Sequence, residues 1–332
     1  MNNYIILIAM SPFGFHSRCE DVAKAFADKI KGRTFLITGV SEKSIGANLA
    51  YALAAEAPAR ILLVGRNKSR IDPVVRRIAT NYPDVVATFV PCDLTDFDSV
   101  RAAARRINED AAIPRVDVVV NNAGVMAPVK YTLDKQGYEL SLSANHLGHF
   151  LLTALLLPKI VAAAPGARVV NVSSRGHAAG PFRFDDWNFS GGAAYDGWSA
   201  YGQSKTANIL FSAELGRRLA GAGIRAYAVH PGAIIGTGLA DHLGEGEWQG
   251  IYEVALRNTG HEFPALNDLK DLSAGTASLA AAALDPDLDG QSGAYIVDCQ
   301  VARPLEPYAE DPENARKLWE LSEELVGQKL EL

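Results

Sequence analysis

Cysteine is scarce in this chain, with three residues among 332: Cys19, Cys92 and Cys299. Their odd number, wide separation and lack of C-x-x-C spacing exclude a disulfide framework and a zinc site, so no metal is expected. A reducing compartment, the cytoplasm, is the expected location. Basic charge is also short. Thirty-two Lys and Arg against 38 Asp and Glu leave a net charge of -6, and no Lys/Arg cluster is long enough to track a nucleic acid. Long hydrophobic runs are missing too. The apolar start, Tyr4 to Met10, falls far short of the ~20 residues a membrane span requires, and no Lys or Arg precedes it to make a strong secretion signal. The run Phe150 to Leu157 ends at Pro158-Lys159, and Ala274 to Leu284 is short, so both read as buried helices. No transmembrane segment is expected. Repeats, low-complexity tracts and Pro/Ser-rich linkers are absent, which leaves a single domain over 32–300, an extension at 1–31 and a helical tail at 301–332.

What is present is a rhythm. Short β-rich runs, Thr34 to Thr38, Ile61 to Val64, Val85 to Val90, Val116 to Val120, Arg168 to Val172, Arg225 to Val229 and Tyr295 to Val297, alternate with longer alanine- and leucine-rich segments. Strands that are apolar throughout, separated by helices, predict an α/β fold: a doubly wound, seven-stranded parallel sheet covered on both faces. Ahead of it, Val22, Phe26 and Ile30 have the spacing of one helix stripe, which predicts an amphipathic helix.

Ligands of such a sheet bind outside the carboxyl ends of the strands, and the unusual residues of this chain lie there. After the first strand comes Thr38-Gly39-Val40-Ser41-Glu42-Lys43-Ser44-Ile45-Gly46, a turn whose glycines let backbone amides approach a pyrophosphate at a helix N-terminus. The second strand ends in Arg66 where an NAD-binding chain usually offers an acidic residue to the ribose. Arg66 and Lys43 favour a 2′-phosphate, hence NADP over NAD. Asp93-Leu94 follows the third strand and can meet an adenine amino group; Asn121-Asn122-Ala123-Gly124 follows the fourth. Asn145 sits alone in an apolar helical stretch, where its amide must bend the helix around a water or serve a site. His146 and His149 lack a third ligand, so structural roles are expected. Ser173-Ser174 ends the fifth strand, without the G-x-S-x-G elbow of a hydrolase. Pro231-Gly232-Ala233-Ile234 leads to Thr237 after the sixth.

The spacing Tyr201-x-x-x-Lys205 opens a long apolar helix and puts a phenol and an ammonium on one face. A neighbouring cation lowers a tyrosine pKa from near ~10, making it a usable acid-base catalyst. The chain contains its own control. Tyr131 and Lys135 have the same spacing in a polar stretch where nothing converges, and they read as surface.

Taken in order, the T-G…G turn at 38–46, Asp93, N-N-A-G at 121–124, Asn145, Ser174, Tyr201 with Lys205, and Pro231-Gly232 make the chain resemble the short-chain dehydrogenase/reductase family over residues 33–300. Gly293 to Cys299 and Lys317 to Ser322 look like its retinol-dehydrogenase-like and WW-domain-oxidoreductase-like branch, with many fungal members, though no WW domain is present. The resemblance implies that Tyr201 is the general acid-base and that Lys205 lowers its pKa and binds the nicotinamide ribose. It implies that Ser174, rather than Ser173, orients the carbonyl, and that Asn145 holds a relay water. It further implies an NADP(H) site at Gly39, Ser41, Lys43, Ser44, Ile45, Gly46, Arg66, Asp93, Leu94, Asn121, Ala123, Gly124, Tyr201, Lys205, Pro231, Gly232, Ile234 and Thr237. Departures are a glycine turn with four residues between Gly39 and Ser44, Ser44 in place of the middle glycine, a longer turn before Thr237, and an insertion-like stretch, Pro181 to Phe189, expected to shape the pocket.

A lid at about 237–266, carrying Leu239, His242, Leu243, Trp248, Ile251, Tyr252 and Phe263, predicts a fairly large apolar ketone, aldehyde or secondary alcohol as substrate, although the same side chains suit packing against the core. Redox-neutral epimerisation or dehydration is the alternative chemistry, and a non-catalytic dinucleotide sensor the alternative class; the intact set of Asn145, Ser174, Tyr201 and Lys205 argues against the sensor. Members of the family pair through their long helices, so a homodimer is the expected assembly unless the terminal extensions cover that face.

Overall fold

The structure, a computed structural model, describes residues 7–8, 11–234, 236–265 and 268–331. The apolar start at 4–10 lies outside the described residues except for 7–8, and so does residue 266 of the expected lid. The strands are β1 (Leu7–Ile8), β2 (Thr34–Thr38), β3 (Arg60–Gly65), β4 (Val86–Pro91), β5 (Val118–Asn121), β6 (Arg168–Val172), β7 (Arg225–His230), β8 (Ala233–Ile234), β9 (Leu269–Lys270), β10 (Tyr295–Val297) and β11 (Gln300–Ala302). Seven of them form the expected parallel sheet in the order β4-β3-β2-β5-β6-β7-β10. The order reverses at β2, so the crevice between the ends of β2 and β5 is the topological switch point where a ligand of such a sheet belongs.

Two further strands extend this sheet antiparallel at the β10 edge. β11 folds back on β10, and β1 pairs with β11. The β10–β11 hairpin turns on Asp298 and Cys299, both at positive φ (52° and 63°). This is the geometry of a tight turn that usually advertises itself with Asn-Gly or Asp-Gly. Here no glycine signals it, and strands of two and three residues carry no periodic pattern. β8 and β9 make a separate two-stranded parallel pair.

The helices are α1 (Cys19–Ala25), α2 (Ile45–Ala54), α3 (Lys68–Asn81), α4 (Phe97–Glu109), α5 (Leu140–Val161), α6 (Gly197–Leu219), α7 (Glu245–Thr259), α8 (Leu272–Leu284) and α9 (Pro312–Val326). Successive strand residues point to opposite faces. Leu36, Leu62, Val119 and Val169 pack with α4, α5 and α6, whereas Phe35, Ile37, Ile61, Leu63, Val118 and Val120 pack with α2, α3 and α8. The N-terminal helix is shorter than the stripe predicts. α1 ends at Ala25, a 3₁₀ turn (Ala27–Lys29) follows, and Val22 and Ile30 are buried while Phe26 is only half-buried.

Among the described residues α5 is the one helix long and apolar enough to cross a membrane, and 89% of its apolar window is buried inside the protein. α9 packs on α5 and α6. Trp319 meets Phe150 and Phe211 with ring centroids 5.3 and 5.9 Å apart, and Ser322 hydrogen-bonds His146 at 2.7 Å. The chain's own C-terminal helix thus covers part of the face through which pairing is expected.

Candidate active site

Asp196 caps α6, accepting from the Ser199 amide at 2.8 Å, and so fixes where the helix starts and which face its first turns present. Tyr201 and Lys205 follow on that face, both buried, with the ammonium 5.6 Å from the phenol ring centroid. Lys205 Nζ donates to the Val172 carbonyl at the end of β6, 3.0 Å away. Burial, the dominant influence on both groups, drives the ammonium down to about 8 and the phenol up to about 12. For the phenol this reverses the expected lowering. The influence that pulls Tyr201 down is a hydrogen bond with Ser174.

Ser174 ends the β6 segment and caps the 3₁₀ turn Arg175–Ala179, its hydroxyl accepting from the Gly176 amide at 2.9 Å. Gly176 is required there, since a Cβ would lie 2.5 Å from Tyr201 Cε1. The neighbouring Ser173 is buried and donates to the Lys205 carbonyl at 2.8 Å, so it pins the helix while Ser174 meets the phenol.

Asn145 lies in a π-helical turn, Ser143–Leu147, inside α5. The widened turn carries its amide to the segment after β5: Oδ1 accepts from Val125 N (2.8 Å), and Nδ2 donates to Val125 O (3.0 Å) and Ser204 Oγ (2.8 Å). Gly124 is wedged between the two catalytic helices; a Cβ there would stand 2.9 Å from Asn145 Oδ1 and 3.6 Å from Lys205 Nζ. Asn145, Ser174, Tyr201 and Lys205 are therefore brought to one place.

The expected cofactor residues line the strand ends from there. Gly39 has φ +72° and approaches Ala123 so closely that a Cβ would sit 2.6 Å from its Cα. Ser44 caps α2, accepting from Ala47 N and Ser41 N at 3.1 Å and donating to Gly39 O at 3.3 Å. Serine thus does here what the missing glycine would leave undone, while Ile45 and Gly46 open the helix with amides that have no intrahelical partner. That is a fitting seat for a phosphate. Lys43, with φ 64°, stands beside it.

Arg66 is largely exposed and makes a loose ion pair with Asp93, 3.8 Å apart. Asp93 also receives Thr95 N and Oγ1, and Leu94 is buried against Gly148. A cavity of about 540 Å³ opens at Arg66, lined also by Asn67, Lys68, Ser69 and Arg70 at the start of α3. Beyond Arg66, the signal for this wall in the sequence is the N-cap pattern Asn67-x-Ser69 with Arg70 behind it.

Pro231 is buried, Gly232 takes φ +92°, and Ile234 and Thr237 are half-buried on the turn that carries β8. Gly232 is backed by Lys270 of β9, itself paired with Asp298 at 2.6 Å.

Asn121 is the exception. Its Nδ2 donates to Asn171 Oδ1 (2.8 Å) and Thr153 Oγ1 (3.1 Å) in the core, so its side chain is committed to joining β5, β6 and α5. Its neighbour Asn122, in the same N-N-A-G segment, instead donates to the carbonyls of Thr38 (2.8 Å) and Gly39 (3.1 Å) and ties the two cofactor loops together.

His146 and His149 are buried and held neutral by that burial, at about 3 and about 4. No cluster of metal-ligating residues occurs among the described residues. Tyr131 and Lys135 part company, the phenol donating to Asn188 O and the ammonium to Asp96.

Over Tyr201 the lid residues divide. Ile251, Val254, Ala255 and Phe263 are buried with Met126, Trp198 and Tyr201, and Trp248 is packed beside them, while Leu239 and Tyr252 are exposed. The Trp198 indole stands 6.0 Å from the Tyr201 ring and 5.5 Å from Trp248, donating to Glu247 O at 2.6 Å. The stretch Pro181 to Phe189 does not join this cluster. Phe182, Phe184 and Trp187 pack into the larger core on the α5 and α6 side, held there by Gln203, which accepts from Arg183 N and donates to Trp187 O.

Comparison with known proteins identifies one family. The sequence profile described as short chain dehydrogenase matches residues 33–248. Human retinol dehydrogenase 13 is 37% identical over 300 residues, covering 90% of this chain and 86% of the relative. The oxidoreductase fscI of Fusarium equiseti is 37% identical over 241 residues, covering 65% of this chain and 93% of its own. Among solved structures, an uncharacterised protein of Mycobacterium paratuberculosis superposes with a TM-score of 0.66 at 30% identity, covering 92% of this chain and 97% of the other.

Proposed function

The chain belongs to the short-chain dehydrogenase family and is an oxidoreductase, and from that premise we propose that it is an NADPH-dependent carbonyl reductase or alcohol dehydrogenase. The observation that carries this is the convergence of Tyr201, Lys205, Ser174 and Asn145 beneath an apolar lid.

The glycine turn with Ser41, Ser44, Ile45 and Gly46 would hold the pyrophosphate, Asp93 and Leu94 the adenine, and Lys205 the nicotinamide ribose. Arg66, with Arg70 beside the cavity at the start of α3, supports NADPH over NADH, because a 2′-phosphate there meets cationic side chains and capping groups. The dinucleotide supplies the hydride when bound. Tyr201 gives its proton to the carbonyl oxygen in reduction and takes it back in oxidation. Ser174 orients that oxygen, and Asn145, fixed on Val125 and Ser204, anchors the relay that reprotonates the phenol.

The wall formed by Met126, Trp198, Trp248, Ile251 and Phe263 supports a fairly large apolar ketone, aldehyde or secondary alcohol. The human relative named for retinol, a bulky apolar alcohol, supports an apolar substrate. Three buried free thiols support a reducing compartment, the cytoplasm.

The test is NADPH consumption, followed by ultraviolet absorbance, on a panel of bulky aldehydes and ketones, with Tyr201→Phe alongside. Turnover that disappears in the variant, with NADPH binding intact, is the expected result. Turnover that survives it sinks the mechanism.

A further inference from the structure

His177 is fully buried three residues beyond Ser174, and every polar atom of its ring and its carbonyl is engaged. Nε2 lies 3.0 Å from the Leu305 amide nitrogen and Nδ1 lies 2.7 Å from the Ser174 carbonyl. A backbone amide only donates and a carbonyl only accepts, so the tautomer follows: Nε2 accepts from Leu305, and the ring proton sits on Nδ1 and donates to Ser174. The His177 carbonyl in turn accepts from Tyr308 Oη at 2.7 Å and Thr206 Oγ1 at 3.3 Å, and the ring stands edge-on to Tyr295 with centroids 5.4 Å apart.

These contacts come from four directions: the turn after β6, helix α6, strand β10 and the segment at 305–308. The turn they hold is the one that touches the phenol. Ser174 Oγ is bonded to Gly176 N, and Gly176 leaves no room for a Cβ beside Tyr201. A histidine used as a proton donor or acceptor in turnover needs a free nitrogen and an accessible pKa. This ring has neither, because both nitrogens are committed and burial holds it down to about 4.

We propose that His177 is a positioning residue: it sets the carbonyl of Ser174, and with it the Ser174–Gly176 turn, against Tyr201, and it couples that turn to the C-terminal segment at Leu305 and Tyr308. The inference rests on the reading of Tyr201 as proton donor and Ser174 as the hydroxyl that orients the carbonyl. Its consequence is that residues 303–309 form part of the catalytic scaffold, since Leu305 and Tyr308 supply two of the five hydrogen bonds that hold the imidazole and its carbonyl.

The test uses full-length His177→Phe, His177→Asn and Tyr308→Phe, with a bulky aryl ketone that the unaltered protein reduces. Phenylalanine keeps the ring against Tyr295 and removes both ring hydrogen bonds. It should lower kcat roughly 10- to 100-fold, the scale on which small misplacements act. NADPH affinity, read by energy transfer from tryptophan, should stay within about twofold, and the isotope effect with NADPH deuterated at the transferred position should rise as the chemical step becomes limiting. Asparagine can still donate to the Ser174 carbonyl and should recover part of the loss. Tyr308→Phe should act in the same direction, less strongly, and it reports on the coupling if His177→Phe fails to fold. A His177→Phe protein with unchanged kcat and isotope effect and only a lower melting temperature overturns the inference, as does an asparagine variant no better than phenylalanine. Turnover surviving in Tyr201→Phe overturns the reading of the reaction itself, whatever the His177 variants show. An unaltered protein that reduces none of the ketones overturns both.

Discussion

Thr38 Oγ1 and His149 Nε2 lie 2.9 Å apart beneath the glycine turn. The Thr38 oxygen also accepts from the amides of Asn122 and Ala123, each at 2.9 Å, and its proton goes to the nearer imidazole nitrogen rather than to the Val120 carbonyl at 3.5 Å. His149 Nδ1 then donates to the Asn145 carbonyl at 3.0 Å. One hydroxyl and one ring thereby link the end of β2, the N-N-A-G segment after β5 and the π turn of α5, the three elements that meet at the switch point.

Replacing Thr38 by Val keeps the shape and removes the hydroxyl. The Ala123 amide loses its acceptor and the imidazole its donor, while the Asn122 amide keeps the Val120 carbonyl at 3.1 Å; the cost is roughly 1–3 kcal/mol for each group left unsatisfied. Denaturant melts should show the loss, NADPH binding should weaken with it, and Thr38→Ser should recover most of both. A valine variant that binds NADPH as tightly as the unaltered protein refutes the linkage.

The same burial makes the protein acid-labile in a defined window. His149 and His177 are held down to about 4 and His146 to about 3, each mainly by burial, against about 6.5 for an unfolded histidine. Below pH 6.5 the unfolded chain takes up protons that the folded chain refuses. Their contribution is therefore complete above about 6.5 and is lost as pH falls towards 4, at about 1.4 kcal/mol per pH unit for each ring. Denaturant melts between pH 7 and 4 should show this slope, and His149→Gln should reduce it by about one proton's worth.

Strand and motif signals were legible because each is a local pattern repeated. Apolar runs bounded by Gly, Asn, Asp and Ser marked β2 to β7 and β10, and the seven strands stand in the parallel sheet the sequence predicts. The antiparallel edge is not legible in the sequence because β1 and β11 are two and three residues long and the β10–β11 hairpin turns on Asp298-Cys299 instead of a glycine pair. At the site, residue types identified the convergent set, but the partners were not readable. That Ser173 bonds the Lys205 carbonyl, or that Asn121 faces the core while Asn122 clasps the glycine turn, depends on which side of a strand end a side chain leaves. His177 and Trp198 carried no motif at all. The aromatic stretch at 181–189 misled because composition suggests a pocket wall, whereas Gln203 holds it on the other side of α6.

Lys205 gives a pH signature in which activity and stability move in opposite directions. Burial lowers its ammonium to about 8, against about 10.4 in an unfolded chain. If the cation is the working form, kcat/KM should fall about tenfold per unit as pH rises past about 8. Between 8 and 10.4 the unfolded chain holds more protons than the folded one, so this group's contribution to stability rises across the same range. Lys205→Arg stays charged throughout and should lose the alkaline limb of the activity profile even if its rate is lower. A limb that persists unchanged in that variant assigns it to another group.

Cofactor choice can be dissected at the start of α3. Arg66 is held only loosely by Asp93 at 3.8 Å, and Arg70 is exposed on the same cavity, whereas Lys68 is already paired with Asp72 at 2.5 Å. A 2′-phosphate should therefore draw chiefly on the two arginines. A charge-assisted hydrogen bond of roughly 1.5–3 kcal/mol corresponds to about a 10- to 100-fold change in affinity. Arg66→Ala should weaken NADPH by about that factor and leave NADH nearly unchanged, Arg70→Ala should do so to a smaller degree, and Lys68→Ala should do little. Titration of each variant with both dinucleotides gives the comparison directly. Equal weakening of NADPH and NADH by Arg66→Ala would place the guanidinium on the shared adenosine and leave the preference for the phosphate to other residues.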